Sequence, residues 1–189
     1  MVSHTFYTQH TEEFYDFYKN KMIFLDAKPN KAHLKLAEME QAGKLSAIVT
    51  QNIDGLHQAA GSKNVFELHG SVHRNYCQKC GKFFDVNYVV NAKGVPYCDE
   101  CGGIIKPDVV LYEEGLDSQT INGAVRAISK ADMLIIGGTS LVVYPAAGMI
   151  DYFKGKDLAV LNRDATSRDK QADLCITDPI GEVLGRIRV

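Results

Sequence analysis

Leu45-Ser-Ala-Ile-Val-Thr50-Gln-Asn-Ile-Asp-Gly55 decides how this chain is read. A short apolar run ends abruptly in two amides, a carboxylate and a glycine. A strand covered on both faces has this near-continuous apolar character, and in α/β sheets ligands bind where such strands end. Asp132-Met-Leu-Ile-Ile136, Leu158-Ala-Val-Leu161 and Asp173-Leu-Cys-Ile-Thr177 have the same form. Helices fit between them. Asn30 can cap one running through Leu34, Ala37 and Met39 and closed by Gly43. Asp117 or Ser118 can cap another through Ile121, Val125 and Ile128. Pro145 suits the first turn of a helix ending near Gly155, and Asp178-Pro179 opens a last one with Val183 and Leu184. Strand and helix in alternation predict an α/β fold, a Rossmann-like parallel sheet with helices on both faces.

One stretch breaks the rhythm. Cys77-Gln-Lys-Cys80 is followed, after seventeen intervening residues, by Cys98-Asp-Glu-Cys101. Each Cys-x-x-Cys turn aims two sulfurs at one point, and two turns complete the tetrahedron of a zinc site about 2.3 Å from each sulfur. With all four places taken by thiolate, none is left for water, so the metal is structural. Two disulfides or two unrelated redox turns are the competing account, but paired knuckles at this spacing rarely arise otherwise. Residues 74–105 therefore read as a small inserted zinc-binding module. Residues 1–28 carry Phe6, Phe14, Tyr15, Phe17, Tyr18 and Phe24 and read as helical. The fifth cysteine, Cys175, lies in an apolar run and reads as a buried small hydrophobe.

Bulk properties exclude several classes. With 46% hydrophobic residues among 189, the chain can bury a real core. Its 21 basic and 23 acidic residues show no cationic run, so no nucleic-acid face is expected. The apolar runs are too short for a membrane span, and the N-terminus lacks the pattern of a signal peptide. A reducing, cytoplasmic location follows and suits zinc-bound thiolates.

Three turns carry candidate chemistry. Gln51, Asn52 and Asp54 can bond ribose hydroxyls or a carboxamide, although Asn and Asp also favour plain turns. Ile136-Gly-Gly-Thr-Ser140 lets backbone amides approach an anion, with a tight strand-to-helix turn as the alternative. Glu67-Leu-His-Gly-Ser71 puts a histidine at the edge of the zinc module, where it is either a general base or a satisfied core residue.

Taken together, Thr50-Gln-Asn-Ile-Asp-Gly-Leu-His57, Leu68-His-Gly-Ser71, the two cysteine pairs, Pro107-Asp-Val-Val-Leu-Tyr112 and Gly138-Thr-Ser-Leu-Val-Val-Tyr-Pro-Ala-Ala147 resemble, in this order, the sirtuins of bacterial type, the NAD-dependent protein lysine deacylases. The resemblance implies NAD as cofactor, one structural zinc, acetylated lysine in proteins or peptides as substrate, and nicotinamide and O-acetyl-ADP-ribose as products. It implies that Gln51, Asn52, Ile53 and Asp54 contact the nicotinamide and its ribose, and that His69 is the general base. Gly138, Thr139 and Ser140 would line the adenosine side, with Asn162 at the adenine ribose and Ile180 near the adenine. Val109, Val110 and Tyr112 would line the substrate peptide, which pairs there as a strand. Residues 1–28 become the helical part of a small domain and cofactor-loop region. Residues 29–73 and 106–189 become the NAD-binding domain.

The resemblance also has gaps. The family's first strand, its Gly-Ala-Gly-x-Ser turn and its Gly-Ile-Pro-Asp-Phe-Arg segment are absent from these residues. A truncated chain with an impaired cofactor site is the expectation. The alternative is an inactive zinc-stapled module for peptides or a partner, or a gene remnant. Tyr112-Glu-Glu114 stands where the family reads aromatic-Gly-Glu, and Glu113 is expected to point to solvent, the alternative being that its charge near the peptide groove favours basic flanking residues. Tyr15-Asp-Phe-Tyr18 matches a Tyr-x-x-Arg that binds acidic acyl groups, without the arginine, which implies acetyl over succinyl.

Overall fold

The computed structural model describes residues 1–189. In chain order the elements are α1 (His4–Gln9), α2 (Thr11–Lys21), α3 (Lys31–Gln41), β1 (Ile48–Thr50), α4 (Leu56–Ala59), β2 (Val65–Glu67), β3 (Gly70–Cys77), β4 (Phe83–Phe84), α5 (Val86–Asn91) and β5 (Ile105–Val109). There follow α6 (Ser118–Lys130), β6 (Met133–Gly137), a 3₁₀ helix (Ala146–Tyr152), β7 (Asp157–Leu161), a 3₁₀ turn (Asp169–Gln171), β8 (Leu174–Ile176) and α7 (Ile180–Gly185). By contact, the chain divides into two compact units. The first comprises Met1–Ala27, Gln51–Gly55 and His69–Asp117, the second Lys28–Thr50, Leu56–Leu68 and Ser118–Val189.

The first unit is built on an antiparallel sheet of order β4-β3-β5. β3 is eight residues long and pairs with β5 from Gly70↔Val109 to Cys77↔Ile105, with a shift in register between Ser71 and Asn75. Asn75, fully buried, donates its amide to the Val72 and Phe84 carbonyls and so satisfies backbone that the irregular ladder leaves open. This ladder explains why the unit boundary differs from the one the sequence suggested. Residues 69–73 and 106–117 form or flank the paired strands β3 and β5, the first of which ends in Cys77, so they fall in one unit with the cysteine module. The core joins Tyr7, Phe14, Tyr15 and Tyr18 to Val72, Val89, Ile105 and Val109. Phe14 stacks on Tyr18, with ring centroids 5.6 Å apart, and meets Tyr15 edge-on at 5.2 Å. The aromatic run of residues 1–28 is thus two helices whose rings form the centre of this core.

The second unit holds the parallel strands. β1 pairs with β2, and a second sheet has the order β6-β7-β8, all parallel. The α/β expectation is met, with an antiparallel sheet added in the first unit. β7 is central in its sheet, and Leu158 to Leu161 are all buried. β8 lies at the edge, and its burial is slight: Cys175 is exposed. The buried reading of Cys175 fails because an edge strand has a neighbour on only one side. α3 begins as anticipated, the Asn30 side chain accepting from the Ala32 and His33 amides while His33 returns a bond to the Asn30 amide. Gly43 follows the last turn at φ 71°. The helix expected after Pro145 is 3₁₀ instead, with the Gly148 amide donating to the Pro145 carbonyl and Phe153 to Ile150. No helix is long and apolar enough to cross a membrane.

Candidate active site and zinc centre

The four cysteines converge. Their sulfurs all lie within 4.8 Å of one another, with Cys77 and Cys101 3.4 Å apart and Cys80 and Cys98 3.7 Å apart. β3 delivers Cys77 into the first turn, which the Gly81 amide closes on the Cys77 carbonyl; the Gly102 amide closes the second on Cys98. Four thiolates so placed suit one tetrahedral zinc ion, which would hold structure only. Lys82 bridges the turns, 2.8 Å from both Asp99 and Glu100. The two carboxylates hold its ammonium well above the ordinary lysine range.

His69 precedes β3 and is half-buried, and its Nδ1 is 3.1 Å from the main-chain oxygen of Gln51. Two further bonds fix the same turn, from the Val72 amide to the Ile53 carbonyl and from His73 Nε2 to the Asp54 carbonyl, each 3.0 Å. The structure therefore gathers His69 and Gln51, Asn52, Ile53 and Asp54 within the first unit. Gly70, at φ 74°, passes so close to the Asp108 carbonyl that any Cβ would collide with it. That approach fixes the residue after His69 as glycine.

Gly138, Asn162 and Ile180 line a 680 Å³ cavity in the second unit. It lies at the carboxyl ends of β6, β7 and β8, the usual position for a nucleotide in a parallel sheet. A Cβ on Gly137 would run into the Ile180 side chain, so that glycine makes room for one wall. Thr139 and Ser140 are not among the lining residues, and the Thr139 hydroxyl accepts from the Leu141 amide at 3.2 Å. Asn30, Lys31, Arg163, Asp164 and Asp178 do line it. Sequence reading missed them, although Asn162-Arg-Asp164 leaves a strand just as Gln51-Asn-Ile-Asp54 does.

Val109 and Val110 line a smaller cavity, 460 Å³, with Lys106, Asp108 and Glu114. Tyr112, 64% exposed, is not part of its lining, and its backbone is occupied: its amide donates to Val2 and its carbonyl accepts from His4. Glu113 does not simply face solvent. Its carboxylate accepts from the Thr5 amide at 2.8 Å and the Thr5 hydroxyl at 2.7 Å, and these bonds hold it below the usual glutamate range. It sits at φ 77°, a conformation suited to glycine. Burial pushes the Glu114 carboxyl up, but bonds from His4, the Leu111 amide and Lys106 outweigh it and leave the group low. Tyr15 and Tyr18 are fully buried, so neither side chain is open to an acyl group.

Comparison with known proteins decides the family. The Sir2 family model matches residues 1–145. The chain belongs to the Sir2 family. Among family relatives, a protein of Clostridium acetobutylicum named NAD-dependent protein deacetylase is 66% identical over 185 residues, covering 97% of this chain and 76% of that protein. One of the same name from Clostridium perfringens is 63% identical over 188 residues, covering 99% and 77%. A solved family structure described as Sir2 with p53 peptide and NAD+ superposes with a TM-score of 0.91 at 40% identity, covering 98% of this chain and 80% of that one. Another, described as Sir2 bound to acetylated peptide, gives 0.89 at 39%, covering 98% and 80%.

Proposed function

We propose that the protein is an NAD-dependent protein lysine deacetylase that uses one structural zinc and acts on acetylated lysine in proteins or peptides. The observation that carries this reading is His69 bonded to the turn bearing Asn52 and Asp54, within a Sir2-family chain. When bound, NAD would supply the ribose carbon that bonds the acyl oxygen, nicotinamide as the leaving group and the ribose hydroxyl that finally carries the acetyl group. Asp54 would accept from the carboxamide of nicotinamide, while Gln51, Asn52 and Ile53 would orient it and its ribose. His69 would take the proton of a ribose hydroxyl as general base, a role histidine commonly fills. Gly138, Asn162 and Ile180 would hold the adenosine at the ends of the parallel strands, with Thr139 and Ser140 alongside. Val109 and Val110 offer backbone to the peptide, and the exposed Tyr112 ring flanks it. The protein's part is orientation and charge placement. Four cysteines grouped as metal ligands agree with a reducing compartment, the cytoplasm.

The decisive assay follows nicotinamide and free lysine released from an acetyl-lysine peptide. His69→Ala is expected to remove turnover by at least ~100-fold, the usual contribution of a general base. An unchanged rate in that variant sinks the assignment. These 189 residues hold no Gly-Ala-Gly-x-Ser and no Pro-Asp-Phe-Arg stretch. We infer that the polypeptide assayed alone binds NAD weakly and turns over slowly, and that a zinc-stapled peptide-binding role is the second reading. Turnover matching that of the Clostridium relatives refutes this point and leaves the main one standing.

A further inference from the structure

The turn that carries Asn52 and Asp54 is held at both ends by histidines. At its start, Gln51 offers only a carbonyl to His69 Nδ1 at 3.1 Å, and a carbonyl can only accept, so the imidazole donates there. At its end, the Asp54 carbonyl likewise accepts from His73 Nε2 at 3.0 Å. Between them the Val72 amide bonds the Ile53 carbonyl. Gly55, at φ 70°, closes the turn against the His73 ring, where an added Cβ would lie 2.8 Å from His73 Cδ2. His69 has a role in the proposed chemistry; His73, four residues on and exposed, has none assigned.

We propose that His73 is a positioning residue for the 51–55 turn, clasping the Asp54 end through its Nε2–H and its contact with Gly55. This rests on reading the turn as the nicotinamide and ribose contact. Two consequences are built into the geometry. Neutral His73 is the Nε2–H tautomer. Neutral His69 is the Nδ1–H tautomer, which leaves its Nε2 as the lone-pair nitrogen. The clasp keeps Asp54 and His69 in one rigid frame, because both ends of the turn bond to residues flanking or within the same strand. Without it, the Asp54 carbonyl loses this bond to β3.

The test begins with the unliganded chain. Long-range proton–nitrogen NMR above the imidazole titration range reads both tautomers, and amide exchange reads the turn. His73→Ala is expected to raise exchange across residues 52–55 about fivefold, the effect of losing one hydrogen bond, while exchange in β5 stays within twofold. His73→Gln, whose amide can donate to the same carbonyl, is expected to restore it. In turnover, His73→Ala is expected to raise the KM for NAD about fivefold and leave the KM for acetyl-peptide within twofold. The proposal is overturned by an Nδ1–H tautomer at His73, by exchange in the turn unchanged in His73→Ala, or by a lower kcat with both KM values unchanged. If the turn loosens as expected while wild-type protein shows no NAD binding, the clasp stands and the nicotinamide assignment of the turn fails.

Discussion

Tyr15 and Tyr18 lie one helical turn apart in the same aromatic core, yet their hydroxyls meet opposite fates. Tyr15 donates to the Ile105 carbonyl, while the buried Tyr18 hydroxyl has no partner. Burial pushes both phenols well above the tyrosine range, so both stay neutral. Tyr15→Phe strands a buried carbonyl and is expected to cost about 1–2 kcal/mol. Tyr18→Phe removes an unpaired polar atom and is expected to be neutral or stabilising. Denaturant melts of the two variants compare them directly, and equal losses refute the distinction. Neither residue brings a cation, so acetyl is expected to be removed faster than succinyl, and faster release of succinate than acetate overturns that. Glu113→Ala keeps the left-handed backbone and loses the Thr5 bonds, so its Tm should fall more than that of Glu113→Gly, which relieves the strain.

β3 is the element on which the first unit depends. It carries Gly70, the clasp histidine and Cys77, and it pairs on both edges. Gly70→Ala forces β3 and β5 apart at Asp108 and is expected to cost more than ~2 kcal/mol, since left-handed strain alone is worth about 1–2. A variant melting within a degree of wild type defeats that expectation. The segment after β5 is tied by Glu114, which accepts from the Leu111 amide at 2.9 Å and pairs with Lys106 at 3.0 Å and His4 at 2.9 Å. Because folding depresses this carboxyl, its contribution is full above the ordinary glutamate value of 4.5 and is lost as pH falls through the lower folded value. The acid-side fall in Tm should therefore be shallower in Glu114→Gln; identical pH profiles contradict it. Element types were legible because apolar runs and caps are local signals. The 3₁₀ character of Ala146–Tyr152 was not, because α and 3₁₀ turns differ by one residue in hydrogen-bond reach and share the same composition.

At the scale of the whole chain, the zinc knuckles and the aromatic helices form one core: Cys77 and Cys98 are buried in the cluster that includes Phe14, Tyr15 and Ile105. Metal binding is folding free energy in such a core, about 10–16 kcal/mol for structural zinc. Cys98→Ala or chelation is expected to remove one zinc per chain and unfold the first unit. Metal analysis beside near-UV circular dichroism checks this, and an intact aromatic spectrum without zinc would overturn it. From sequence alone came the α/β class, the cysteine tetrad, the histidine after Leu68 and the polar turns, because each is written in adjacent or regularly spaced residues. Only the tertiary structure decided that residues 51–55 belong with the cysteine module, that Cys175 is exposed on an edge, that Glu113 bonds Thr5, and that His73 holds Asp54. Those facts depend on which strands pair and on contacts between residues 18 to 108 positions apart. No local pattern encodes such contacts, because their cost in chain entropy is recovered only when the whole core forms.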